Sequence, residues 1–268
     1  MSALTWPIRG FRRVFIRHPR RCLVRWKLRR MLRAAPPYDG FQSNTLVVSP
    51  HPDDEVLGVG GLIASIRAAG GKVTVLLLTR GESSHHGCCD LPLARIAAER
   101  TTLAIQAGAM LGVEQGDIRW ADLPSQRIPT LGESPFAAAV ENVSLLLREL
   151  EPGTVVFPHE LDCWPDHVAA AHICEHAIAL ALPHCRQVRY LVWAWYSLRF
   201  RDLSELAAET ARRVSFAPFA ERKRQAIGHY LNAKAPCGRP YCGRLPRGFL
   251  LPFLAENEIV FVRDGAGN

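Results

Sequence analysis

The sequence predicts an α/β fold: one domain built on a Rossmann-like, mostly parallel sheet with helices on both faces. From Asn44 onward, short apolar β-type runs alternate with longer helical stretches, the pattern of linked βαβ units. The 268 residues, 48% hydrophobic and 22% charged, also suffice to bury a sizeable core, which excludes disordered, collagen-like and coiled-coil architectures. No run of about 18 apolar residues occurs, so no membrane-spanning helix is expected.

Residues 1–40 read as a basic amphipathic segment ahead of a domain at 41–268. Residues 22–33 set Val24, Leu28, Met31 and Leu32 on one helical face and Arg25, Arg29, Arg30 and Arg33 largely on the other. Pro19 separates this helix from Ile8–Ile16, where Phe11, Val14 and Phe15 alternate with Arg9, Arg12 and Arg13. Such a segment suits an anionic membrane surface, at about 1 kcal/mol per basic residue near the lipid. Peripheral membrane contact of an otherwise cytoplasmic protein through residues 1–33 is therefore expected. The alternatives are a solvated arm, a helix docked on the domain by its apolar face, or an organellar transit peptide.

After Pro36-Pro37 the domain begins. Asn44–Ser49 is a buried strand, Val56–Ala69 a helix stopped by Gly70-Gly71, and Lys72–Thr79 the next strand, which completes one βαβ unit. Helices follow at Leu93–Leu111, Phe136–Leu150 and His167–Leu182, with strands at Asp117–Trp120, Thr154–Pro158 and Val188–Tyr196. In such a sheet the active site lies at the carboxyl ends of the strands.

The formal charge of +8 is uneven. Residues 1–40 hold ten arginines and Lys27 against Asp39 alone, leaving 22 bases and 24 acids for the rest. A domain without basic excess does not track nucleic acid, so no nucleic-acid partner is expected. The eight cysteines (22, 88, 89, 163, 174, 185, 237 and 242) are too sparse for a disulfide scaffold and read as reduced thiols. Cys237 and Cys242, spaced C-x4-C near His229, hint at a second metal. Lacking a matching pair, they read as ordinary thiols instead.

Two strand-end segments carry the chemistry. Ser49-Pro50-His51-Pro52-Asp53-Asp54-Glu55 lies between the first strand and a helix, where carboxylates are well tolerated. Alone, it would read as an acidic helix cap. About a hundred residues later, His159-Glu160-Leu161-Asp162-Cys163-Trp164-Pro165-Asp166-His167 follows another apolar strand and opens another helix. Brought to one sheet edge, His51, Asp54 and His167 make the two-imidazole, one-carboxylate set of an open catalytic zinc site, and Asp53 is free to act as base toward a water. Ferrous iron suits the same donors.

The string Pro50-His51-Pro52-Asp53-Asp54-Glu55-Val56-Leu57-Gly58-Val59-Gly60-Gly61, with Pro165-Asp166-His167 downstream, resembles the PIG-L/LmbE-like family of zinc-dependent deacetylases acting on N-acetylglucosamine-type amides. The likeness spans about residues 44–182. It implies His51, Asp54 and His167 as metal ligands, Asp53 as general base, and a small-molecule or lipid-linked amino-sugar substrate. Thr79–His85 resembles the family's pocket-shaping loop, with Arg80 where Asp is more usual. The second motif departs from the family's His-Pro-Asp-His: its first position is Trp164, whose indole N–H donates a hydrogen bond but cannot carry a proton. Asp166, assigned with Asp53 to the catalytic group, commonly orients that missing histidine.

Three readings follow from Trp164. The metal alone stabilises the oxyanion at a lower rate, another histidine (His159, His85 or His229) substitutes, or turnover is lost and a sugar-binding module remains. A donor of this kind contributes about 100- to 1000-fold in rate. A further alternative keeps the hydrolysis but changes the amide, to a thiol conjugate or an antibiotic precursor. His172 and His176 read as packing or surface residues, His85-His86 as pocket lining or surface, and Trp193, Trp195 and Tyr196 as core.

Overall fold

Strands in which every side chain is buried, such as TLVVS at Thr45–Ser49 and VTVLL at Val73–Leu77, belong to parallel strands covered on both faces. The computed structural model, which describes residues 19–41 and 44–264, places them side by side as β1 and β2. With β3 (Ile118–Trp120), β4 (Thr154–Pro158), β5 (Arg186–Tyr190), β6 (Ala211–Ser215) and β7 (Asn257–Arg263), they form one sheet among the described residues, ordered β3-β2-β1-β4-β5-β7-β6. Pairing is parallel from β3 to β5 and antiparallel where β7 inserts between β5 and β6.

Because side chains alternate along a strand, each contributes to two cores. Val47, Val75, Val156 and Val188 face one layer, which includes α2 (Asp54–Ala68), α3 (Leu93–Leu111) and α8 (Ala220–Asn232). Leu46, Val48, Leu76, Val155 and Phe157 face the other, against α4 (Ser134–Leu150) and α5 (Pro165–Ala181). The expected elements from residue 44 to 182 recur within two residues at each end, and the basic helix begins three residues earlier than expected, at Pro19.

The last expected strand differs. It ends at Tyr190, and Ala194–Ser197 is a short helix, α6. The buried Asp162 carboxylate accepts the N–H groups of Val192, Trp193 and Ala194 at 2.7, 3.1 and 2.8 Å, which takes them out of any ladder. Residue 203 begins another short helix, α7 (Leu203–Ala207), followed by the β6–α8–β7 unit that the sequence analysis leaves unassigned.

The basic helix, α1 (Pro19–Ala34), docks. Val24 and Leu28 are buried in the core, Met31 and Leu32 pack against it, and Arg25 Nε donates to the Trp195 carbonyl at 2.8 Å. The apolar face on which the membrane expectation rested is thus covered by the domain, the docked-helix alternative. Ile8–Ile16 lies outside the described residues. No helix among those described is long and apolar enough to cross a membrane.

Helix α2 is kinked at Val59 (φ −140°, ψ 22°). A kink frees backbone groups that must find partners elsewhere. Glu258 of β7 accepts the N–H groups of Gly61 and Leu62 at 2.7 and 2.9 Å, and Lys223 of α8 donates to the Leu57 carbonyl at 2.9 Å and to Glu258 at 2.6 Å. The glycines here are steric necessities: a Cβ at Gly58 would overlap the Tyr190 ring, and one at Gly61 the Phe216 ring.

The chain leaves β1 toward β2 and β3, then returns to place β4 on the other side of β1. Connections therefore diverge at the carboxyl ends of β1 and β4, the switch point where open α/β sheets leave a crevice. Both motifs lie there.

Candidate metal centre

β1 delivers His51 and Asp54 through a tight turn. Asp53 has φ 133°, a conformation that costs a residue with a Cβ on the order of 1–3 kcal/mol and marks functional turns. It precedes α2, yet its side chain makes no capping bond, so the acidic-cap reading fails. Asp54 Oδ2 instead lies 3.1 Å from the His51 N–H and 3.0 Å from His51 Nδ1. The opposite ring nitrogen of His51, Nε2, is 2.7 Å from Asp166 Oδ2. Asp166 also accepts backbone N–H groups from Gln126 at 2.7 Å and Ile128 at 3.4 Å.

β4 delivers the second half. After a 3-10 turn at Glu160–Asp162, Cys163 turns the chain at φ 66° and α5 begins. This brings His167 Nδ1 to 2.6 Å from Asp162 Oδ2 and His167 Nε2 to 3.0 Å from Asp54 Oδ2. Asp162 is fully buried and satisfies four donors at once: His167 and the three N–H groups that end β5.

Ligating atoms of His51, Asp54 and His167 all lie within 4.8 Å of one another. The outer ring nitrogen of each histidine faces a carboxylate, Asp166 or Asp162, so each ring can donate outward and turn its inner nitrogen's lone pair to the centre. His167 Nε2 is buried and has no hydrogen-bond partner. An orphaned buried imidazole nitrogen facing a carboxylate is an arrangement that a divalent cation completes, and three protein donors leave room for water or substrate.

Burial disfavours charge on His167, but the Asp54 and Asp162 carboxylates outweigh it and push its pKa up to about 10. Burial likewise opposes ionisation of Asp54, yet His167 and His51 hold it well below the usual carboxylate range. Asp53 goes the other way. Burial pushes it up to about 7, opposed by the Arg100 guanidinium 3.2 Å away. Arg100 is itself buried and donates to the carbonyls of Pro52 and Gly81. Asp53 lines a small cavity with Ile227, Tyr230, Cys242, Leu245 and Leu250.

Comparison with known proteins agrees with this geometry. The family model described as "PIG-L: GlcNAc-PI de-N-acetylase" matches residues 46–178, which hold both motifs. The chain belongs to the PIG-L family. A 1D-myo-inositol 2-acetamido-2-deoxy-alpha-D-glucopyranoside deacetylase of Nocardia farcinica is 29% identical over 240 residues, 81% of this chain and 70% of that protein. A diacetylchitobiose deacetylase of Thermococcus kodakarensis is 30% identical over 149 residues, 51% of this chain and 49% of the relative. Among solved structures, the N,N'-diacetylchitobiose deacetylase of Pyrococcus horikoshii superposes with a TM-score of 0.62 at 19% identity, covering 83% of this chain and 85% of its own, a likeness of fold.

Against the PIG-L pattern, Trp164 is the departure. Its ring stacks on Trp193 (centroids 4.5 Å, 20° between planes), which tilts against Phe249 at 4.7 Å. None of the candidate substitutes is drawn into the centre. His159 Nε2 lies 3.2 Å from Glu209, and its Nδ1 accepts from the Leu161 N–H. His85 faces a group of thiols. On the helix of His229, it is Tyr230 that reaches inward, donating to Glu55 at 2.9 Å. Asp166 has a different partner from the one the family pattern suggests, since His51 occupies it. Arg80 points outward, pairing with Asp122 at 2.6 Å over the Trp120 ring. Asp162, Arg100 and Tyr230 are site residues that no sequence motif marks for a role. Only Asp162 had a visible signal, a buried-type acid five residues before His167 in the same motif.

Proposed function

We propose that this chain is a metal-dependent N-deacetylase that hydrolyses an N-acetyl amide on an amino sugar or glycoconjugate, releasing acetate and a free amine. The observation that supports it most is the orphaned Nε2 of His167 opposite His51 and Asp54, with Asp162 and Asp166 steadying the two rings from behind. The deacetylase names of the relatives agree with this reading.

His51, Asp54 and His167 would hold zinc, or ferrous iron, which suits the same donor set. When bound, the ion supplies Lewis acidity toward a water and the amide carbonyl. Asp53 takes the proton of the attacking water and returns it to the leaving nitrogen, a role suited to a carboxyl whose pKa burial has brought up to about 7. Arg100 holds that carboxyl in place. With Trp164 where the family's proton-carrying histidine is expected, Asp53 makes both transfers. Asp162 and Asp166 are positioning residues.

One observation favours a second reading, sugar binding without turnover: Trp164, Trp193 and Phe249 form an aromatic wall in place of a proton donor. The test measures metal content and amine release from N-acetylglucosamine-containing substrates for the wild type, Asp53→Asn and His167→Ala, with amides of thiol conjugates and antibiotic precursors run alongside. Expected are amine release by the wild type, one ion fewer in His167→Ala, and no release with full metal content in Asp53→Asn. An unchanged metal count in His167→Ala, or full activity in Asp53→Asn, overturns the assignment. Sugar binding without amine release selects the second reading.

A further inference from the structure

Away from this centre, the loop after β2 and a turn beyond α8 bring four soft donors together. His85, Cys88, Cys89 and Cys237 each offer a ligating atom, all within 4.8 Å of one another. By sequence alone these cysteines read as ordinary thiols, and Cys237 has only Cys242 as a near partner. Cys242 in fact turns to the Tyr230 carbonyl at 3.6 Å and lines the cavity beside Asp53, while Cys237 meets residues almost 150 positions earlier.

The distances describe a polyhedron. A tetrahedral zinc with Zn–S of about 2.3 Å and Zn–N of about 2.0–2.1 Å separates its sulfurs by about 3.8 Å and its sulfur from nitrogen by about 3.5 Å. Here Cys88 Sγ lies 3.9 Å from Cys89 Sγ and 3.8 Å from Cys237 Sγ. His85 Nδ1 lies 3.1, 3.7 and 3.5 Å from the sulfurs of Cys88, Cys89 and Cys237. These sulfur separations are nearly twice the bond length of about 2.05 Å that a disulfide requires. The imidazole is oriented for ligation: buried to 1% exposure, it donates Nε2–H to the Pro240 carbonyl at 2.9 Å, which leaves the Nδ1 lone pair facing the thiols.

We propose that His85, Cys88, Cys89 and Cys237 form a second, closed metal site for a thiophilic divalent ion, zinc by its chemistry, with a structural role. Three thiolates and one imidazole fill a tetrahedron and leave no position for substrate. Loading displaces the thiol protons to solvent. The ion would pin the 82–89 loop to the 234–243 segment, which already touch through the Ser84 hydroxyl donating to the Tyr241 carbonyl at 2.8 Å. Both segments border the catalytic side, since Gly81 accepts from Arg100 and Cys242 lies beside Asp53. The site therefore braces one wall of the pocket without entering the reaction.

The test loads the metal-stripped full chain with cobalt(II) and counts zinc in untreated protein. Thiolate ligation gives cobalt strong sulfur-to-metal charge-transfer absorption, which a centre of two histidines and an aspartate lacks, so the two sites are read separately. Expected is that absorption in the wild type and in His167→Ala, its weakening in Cys237→Ser, and one zinc fewer in either variant than in the wild type. Should Cys237→Ser fail to fold, the wild-type spectrum decides together with zinc protection of Cys88, Cys89 and Cys237 from alkylation. A wild type with no thiolate absorption, no protection of these thiols, or a disulfide among them overturns the proposal.

Discussion

Asp162→Asn separates the role of a buried carboxylate from its shape. The side chain keeps its volume, and its amide oxygen still accepts from Val192 and Ala194, but an NH2 group now faces His167 Nδ1 and the Trp193 N–H. The Trp193 N–H loses its acceptor, at about 1–3 kcal/mol, and two charge-assisted bonds become neutral ones, about 1 kcal/mol more, so the fold loses about 2–4 kcal/mol. For a chain of this size that lowers Tm by about 4–16 °C. The ring of His167 has only one way to satisfy the new donor: it accepts at Nδ1 and moves its proton to Nε2, the atom that faces Asp54. Metal affinity should then fall about 10- to 100-fold, equivalent to about 1.4–2.8 kcal/mol. Competition with a chromogenic chelator measures the affinity, and unfolding scans in excess chelator measure the fold alone. If Asp162→Asn binds zinc within twofold of wild type while the fold loss appears as expected, Asp162 does not set the tautomer of His167.

Lys223→Met and Glu258→Gln should each cost about 3–5 kcal/mol, since each strands a buried partner, and the double variant should cost less than the sum; strictly additive values in urea unfolding would show that the two groups act independently. Gly61→Ala should cost at least about 1–3 kcal/mol through overlap with Phe216, and adding Phe216→Leu should restore part of the loss; no restoration would place the strain elsewhere. In metal-stripped protein, the raised Asp53 pKa means that the folded state holds a proton the unfolded chain releases, so this group's contribution to stability declines as pH rises from about 4 toward 7. Asp53→Asn should therefore gain on the wild type across that window, and parallel stability curves would contradict it.

Much of this molecule was legible because its signals are local. β4 and α3 appear at the expected bounds because an apolar run and a long helical stretch need no distant partner to be recognised. His51, Asp54 and His167 could be paired because each motif follows a strand, and strand ends of a parallel sheet share an edge. What escaped depends on contacts made across the chain. An amphipathic face such as that of Val24 and Leu28 does not state what covers it, and here the domain core does. β7 carries a charge at Glu258 in its interior, a poor strand signal until the kink at Val59 supplies the N–H groups it serves. The thiol group was hidden for the same reason: proximity in sequence paired Cys237 with Cys242, whereas the fold pairs it with Cys88.

The bracing of the kinked helix by Glu258 gives the chain an order of assembly. Both ligand motifs have left the ribosome once residue 167 has, but the Glu258 carboxylate that accepts from Gly61 and Leu62 is made 91 residues later. At a synthesis rate of about 5–20 residues per second, the helix carrying Asp54 waits on the order of ten seconds for that partner. During that interval the ligand residues are all present, while the helix that aims one of them still lacks its brace. A nascent chain stalled before residue 258 should accordingly hold metal more weakly than one extended past β7, the strand that closes the lock.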